Sequence, residues 1–203
     1  MKFIARLISF LFHPIFLTSY AAAIIIYANP STFRYLDVPP DIILIRIVIN
    51  TLILPALALL MLRGLGLISS FSMYERQGRT LPYITSMFFY FWSTVSFFMY
   101  KCMPDSLRIL LLGVSIGLSV CFFTNILILK VSLHVTAAMS FLVYLAGMYP
   151  QSEKDLIFFL ILAMLGAGLV GSSRLILKAH TPKEIAAGYL VGLFSMWAAF
   201  LIV

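Results

Sequence analysis

Of the 203 residues, 63% are hydrophobic and 10% charged, and a mean hydropathy of +1.08 excludes a soluble domain, so the solvent of this chain is largely lipid. Fourteen Lys and Arg against seven Asp and Glu leave a formal charge of +7. With so little aqueous surface, that excess gathers near the headgroups and points to anionic lipid or a phosphate-bearing substrate rather than to nucleic acid.

Seven apolar runs are long enough to cross a bilayer, which takes roughly 20 residues per helix. The first, residues 7–28, contains His13-Pro14 and then Ser19, Ala21, Ala22 and Ala23. It loosely resembles a cleaved signal, but apolar residues continue through Ile24, Ile25 and Ile26 to Tyr27, so it reads as a retained span. His13 within it reads as a packing residue or the partner of a proline kink, outside any site. The second run, residues 42–62, carries Arg46, which can snorkel to the interface. Residues 64–73 are less apolar and suit the interface as well as a span. The third run, residues 83–100, holds the aromatic cluster from Phe88 to Trp92, expected to face lipid or neighbouring helices. Runs at 107–129, 131–149, 156–177 and 185–203 complete the set. Gly113, Ser115, Gly117 and Ser119, and again Gly166, Ala167, Gly168, Gly171 and Ser172, predict close helix packing. Cys102 and Cys121 lie in or beside these runs and offer neither a disulfide framework nor a thiolate metal site. The fold expected is an all-α integral membrane bundle of six to seven transmembrane helices, with residues 1–203 as one domain.

Turn and charge signals near residues 29–41, 103–105 and 150–155 fall on one side of such a bundle. The other side receives the N-terminus and three clusters of ionisable residues at the ends of apolar runs, where an unpaired charge is costly. The first cluster, Glu75-Arg76-Gln77-Gly78-Arg79-Thr80-Leu81-Pro82, sets two guanidinium groups three residues apart before a helix-opening proline. In the second, Lys130-Val131-Ser132-Leu133-His134, Lys130 and His134 are four apart and share a helical face. The third runs from Ser172 to Glu184 and packs Arg174, Lys178, Lys183, His180 and Glu184 between two long spans. Two crossings separate each cluster from the next, so all three meet on one face. Any one of them alone reads as a topology signal; their conjunction supplies bidentate phosphate donors and a histidine nucleophile or acid, enough for phosphoryl transfer without metal. No carboxylate lies at a familiar metal-ligand spacing from His13, His134 or His180. Thr181-Pro182-Lys183-Glu184 also has the form of a helix capping box, a role compatible with a catalytic one.

The pattern resembles the type 2 phosphatidic acid phosphatase superfamily, whose three motifs are K-x-x-x-x-x-x-R-P, P-S-G-H and S-R-x-x-x-x-x-H-x-x-x-D. Ser173-Arg174, five residues, His180, three residues and Glu184 reproduce the third, with glutamate for aspartate. Ser132-Leu133-His134 is similar to the second, with leucine for glycine and Val131 for proline. The first is the most altered: Arg79 precedes Pro82 by three positions, and Ser72 stands where the lysine would be. The resemblance implies His180 as nucleophile, Glu184 as the group that orients it, His134 as the acid that protonates the leaving oxygen, and Arg174 and Arg79 as phosphate ligands. Arg76 takes the place of the missing lysine, and Ser132 and Lys130 complete the phosphate-binding set. The activity implied is metal-independent hydrolysis, with no cofactor, of a phosphatidate-like lipid or a polyprenyl diphosphate through a phosphohistidine. The setting implied is a bacterial inner membrane. The altered motifs leave one rival, a non-catalytic relative that binds or moves anionic lipid. A small transporter would place ionisable residues at the bilayer midplane, and the clear runs at 83–100 and 156–171 argue against it. Without the six cations of the clusters, Lys2, Arg6 and Arg63 stand against Arg34, Lys101, Arg108 and Lys154, so the positive-inside rule does not assign the site to either face. The resemblance implies the outer one.

Overall fold

The computed structural model describes residues 1–34, 36–68 and 80–203. These form α1 (Lys2–Leu11), α2 (Pro14–Ala28), α3 (Pro30–Arg34), α4 (Pro40–Val48), α5 (Leu54–Gly64), α6 (Thr80–Met99), α7 (Asp105–Leu127), α8 (Leu133–Met148), α9 (Ile157–Ile176) and α10 (Pro182–Ile202), and no strand is present among the described residues. The protein is an all-α integral membrane bundle. Among the described residues, five helices are both long and apolar enough to cross a membrane, and the bent pair α1–α2 makes up to a sixth. Helix α6 has the length, 20 residues, but its threonines, serines and tyrosines leave it less apolar than those five.

Two breaks follow from proline. Helices α4 and α5 join through a π-turn at Ile49–Ile53 into one helix, Pro40–Gly64. Pro55 has no N–H for the carbonyl four residues back and its ring crowds that turn, and the widened turn absorbs both effects. The run at residues 7–28, read from the sequence as one retained span with His13 a packing residue or kink partner, bends by 51° between α1 and α2. Pro14 opens α2, and the Nδ1 of His13 accepts from the amide of Ile15 at 3.3 Å, capping the new helix. Helix α1 buries only Ala5 and Ser9 and leaves Phe3, Ile4, Leu7, Phe10 and Leu11 exposed, the pattern of a helix lying against lipid.

The centre is the crossing of α10 over α8 and α7. In lipid no hydrophobic drive brings helices together, so backbone approach and buried hydrogen bonds must do it. A Cβ at Gly192 would meet the carbonyl oxygen of Thr136 at 2.4 Å, so only glycine permits this approach. Gly188, four residues earlier, lies over Ser132 and Val135 of the same partner segment. The Thr136 hydroxyl donates to the Gly188 carbonyl at 3.2 Å and the Ser140 hydroxyl to that of Gly192 at 3.1 Å, stitching the seam. The small residues singled out in the sequence also pack closely: Gly113 faces Met196, Gly117 faces Ser195, and Gly166 faces the Phe12 ring. Gly168 is the exception and has open space beside it.

The connections sort to two ends as the charge pattern predicts. At one, the Glu153 carboxylate accepts from the Ser31 amide at 3.0 Å and from the Ser31 hydroxyl, while the Glu153 amide donates to Asn29 Oδ1 at 3.1 Å. Residues near 30 and near 153 are thereby clasped. At the other end the Ser132 amide donates to the Glu184 carbonyl at 3.4 Å, and the Lys130 ammonium to the Ala179 carbonyl at 3.1 Å.

Candidate active site

Helix α9 ends in a Schellman-type turn. The amide of Lys178 reaches the Leu175 carbonyl at 2.9 Å and that of Ala179 reaches the Arg174 carbonyl at 3.0 Å, with Lys178 in the left-handed region at φ 53°. Glycine is the usual residue there, and a side chain in that conformation costs on the order of 1 kcal/mol or more. The turn reverses the chain within three residues and delivers His180 between the ends of α9 and α10. Thr181 then caps α10: its hydroxyl accepts from the Glu184 amide at 3.4 Å, and Glu184 Oε2 accepts from the Thr181 amide at 3.1 Å. The same Oε2 lies 2.9 Å from His180 Nδ1. Capping and orientation are thus one arrangement, since the cap holds the carboxylate where it fixes the imidazole. Because a carboxylate only accepts, Nδ1 carries the proton and Nε2 presents its lone pair.

Burial pushes the pKa of His180 down to about 4; the hydrogen bond it donates to Glu184 opposes the fall, and the charges of Arg174 and Lys130 add to it. At neutral pH the ring is uncharged, the state a nucleophile needs. Lys130, at the end of the connection before α8, acts on the neighbouring turn by holding the Ala179 carbonyl. Ser132 Oγ is fully buried and finds no hydrogen-bond partner among the described residues, and Ser132 is not among the residues that line the cavity at this end of the bundle.

A cavity of about 610 Å³ opens at this end of the bundle. His134, Arg174 and His180 all line it, and they come from α8, α9 and the α9–α10 connection. The rest of its wall is mostly apolar, with Leu17, Leu110, Val114, Leu118, Phe141 and Met196, and is interrupted by hydroxyls such as those of Thr18, Tyr90, Thr136 and Ser140. Arg174 is near enough to His13, His134 and His180 for its charge to bear on all three. Among the described residues no acidic side chain lines the cavity, and no group of three or more His, Cys, Asp or Glu is arranged to hold a metal ion. The predicted phosphate ligands Arg76 and Arg79 lie outside the described residues.

Sequence reasoning set His13 aside, and the structure places it on the cavity wall with its ring 4.9 Å from that of His134, edge to face. Lys2 and Arg6 of α1 line the same cavity. The signal was present in the sequence, as an ionisable residue inside an apolar run beside a proline. Only the bend between α1 and α2 reveals that it faces His134.

The profile of the PAP2 superfamily matches residues 76–203, well over half of the chain. This chain belongs to the PAP2 superfamily. The matched stretch contains every one of the three clusters except Glu75, and it leaves α1 through α5 outside. No curated protein and no solved structure matches the chain. Membership accounts for the spacing of Arg174, His180 and Glu184, and PAP2 proteins are in general phosphatases.

Proposed function

We propose that this PAP2 protein is a metal-independent lipid phosphatase, acting on a phosphate monoester or diphosphate of a membrane lipid, phosphatidate-like or polyprenyl, through a phosphohistidine at His180. The observation that carries the reading is the His180–Glu184 pair, 2.9 Å apart, at the polar end of a cavity whose wall is otherwise mostly apolar. A lipid phosphate has that same division.

In the first step Nε2 of His180 attacks phosphorus, the P–N bond forms as the bond to the leaving oxygen breaks, and His134 gives its proton to that oxygen. Arg174 neutralises charge on the transferring group through a guanidinium fork. In the second step His134 takes a proton from water, the oxygen of that water attacks phosphorus, and the P–N bond breaks to release inorganic phosphate and regenerate His180. Glu184 holds the His180 Nδ1 proton throughout and favours the positive charge the ring gains on phosphorylation.

The test is phosphate release from phosphatidate and from a polyprenyl diphosphate by the purified protein, with and without chelator, together with acid quenching to trap a phosphohistidine. Release that survives chelator and a trapped adduct lost in His180→Ala are expected. A strict magnesium requirement would sink the mechanism, and lipid binding without release from either lipid would establish the non-catalytic relative instead.

A further inference from the structure

The break between α1 and α2 has a consequence for His134. In an unbroken helix the amide of residue 13 would donate to the carbonyl of residue 9, and that of residue 14 to the carbonyl of residue 10. Pro14 has no amide proton to give. The His13 amide turns instead to the Phe10 carbonyl at 3.1 Å, which leaves the Ser9 carbonyl for another donor. The Ser9 backbone lies close enough to His134 to act on its imidazole. On its other flank His134 meets the His13 ring at a centroid distance of 4.9 Å and an interplanar angle of 85°. His13 is itself held, because its Nδ1 is occupied by the Ile15 amide. The Phe12 ring seats this corner over Gly166 of α9, where a Cβ would come within 2.3 Å of it.

We propose that the broken N-terminal helix pair, which lies outside the family-matched segment, is a positioning device for His134. The Ser9 carbonyl and the His13 ring hold its imidazole in one tautomer and one orientation. A carbonyl only accepts, so the ring nitrogen facing Ser9 keeps its hydrogen and the opposite nitrogen is the one that gives and takes the proton. The inference rests on the reading of His134 as the leaving-group acid. His13 and Ser9 act through His134 and touch no reacting atom.

The experiment compares two esters on the full chain in detergent: dodecyl phosphate, whose alkoxide must be protonated to leave, and 4-nitrophenyl phosphate, whose phenolate leaves without help. Pro14→Ala restores an amide proton that lets α1 continue and reclaim its carbonyls; His13→Ala removes the ring. Each is expected to lower kcat on dodecyl phosphate at least about tenfold more than on 4-nitrophenyl phosphate, with KM little changed, since a general acid contributes roughly 10²–10⁴-fold where one is needed. His134→Ala should show the same selectivity more strongly, and His180→Ala should abolish both activities. If His180→Ala keeps both, the phosphatase reading itself falls. If the two controls behave as expected while Pro14→Ala and His13→Ala lower both esters equally, or neither, the positioning role alone is overturned. Should His13→Ala fail to fold by its melting transition, His13→Asn retains a helix-capping acceptor without the ring and must show the same ester selectivity.

Discussion

The two ends of the bundle both carry ionisable residues in short connections, yet they dispose of them differently. At the end of the α2–α3 and α8–α9 connections several of the charges are spent on one another and on local groups. Glu153 is taken up by Ser31, Arg108 pairs with Asp105 at 3.0 Å, and Lys154 lies 3.7 Å over the Tyr27 ring. At the other end Arg174, His134 and His180, with Lys2 and Arg6 from α1, face a common cavity, and the carboxylate among them, Glu184, is committed to His180. Charged span ends are ordinary topology signals. What separates a site from a signal here is whether the groups satisfy each other or converge on space that a ligand can enter.

That contrast is broken most severely at His180. His180→Ala is expected to lower phosphate release by about a thousandfold or more while lipid binding persists, because the covalent step is lost and the cationic contacts remain. Parallel assays of turnover and vesicle co-sedimentation read the two effects, and a variant that turns over like the parent makes both ends of the molecule alike. Next in size is Arg174→Ala, which removes a charge-assisted contact worth about 1.5–3 kcal/mol, roughly 10- to 150-fold in kcat/KM. Arg174→Lys should recover only part of it, since an ammonium is a point charge without the planar fork.

A finer probe is the pH profile. His180 attacks as the neutral ring, so activity belongs above its pKa and falls as pH drops through it. With that pKa near 4, the limb set by His180 in kcat/KM should lie well below the value of about 6.5 of a free imidazole. Glu184 raises the pKa of His180, so Glu184→Gln should move that limb further down while lowering the plateau, as the ring loses its orientation. A limb that rises in Glu184→Gln would contradict the pairing. The smallest effect is expected at the clasped end. The hydrogen bonds from Ser31 hold the Glu153 carboxylate below the usual range, so its contribution is present above the ordinary carboxylate pKa and is lost as pH falls through its own. Glu153→Gln should lower the melting temperature slightly at neutral pH, show no difference from the parent in acid, and leave turnover unchanged.

Much of the fold is legible because lipid imposes long apolar runs: the helices from α6 to α10 begin and end within three residues of the runs that predict them. The third cluster is legible for a local reason, since its turn, cap and His180–Glu184 pair lie within eleven residues from Arg174 to Glu184. The bend between α1 and α2 was harder to read. A His-Pro pair inside an apolar run fits either a kink partner or a break, and which ring meets His13 depends on α8, more than a hundred residues away. The charge of Lys130 reads as a phosphate ligand, and its ammonium also donates to the Ala179 carbonyl; long-range contacts to backbone leave no periodic trace. Gly188 and Gly192 escaped notice because the run around them is apolar throughout, and a four-residue spacing of glycines shows its purpose only against a partner helix.

The seam of α8 on α10 bears on how much the second motif can drift. Ser132, Thr136 and Ser140 of one strand of the seam engage Glu184, Gly188 and Gly192 of the other at successive intervals of four residues. The register of His134 relative to His180 is therefore indexed by three rungs, two of them, at Thr136 and Ser140, on residues of the cavity wall. Leu133 lines the cavity and Val131 is buried in the cluster of Tyr83, Leu118 and Cys121; neither supplies a rung, so their side chains can vary while the spacing of the two histidines stays with the seam.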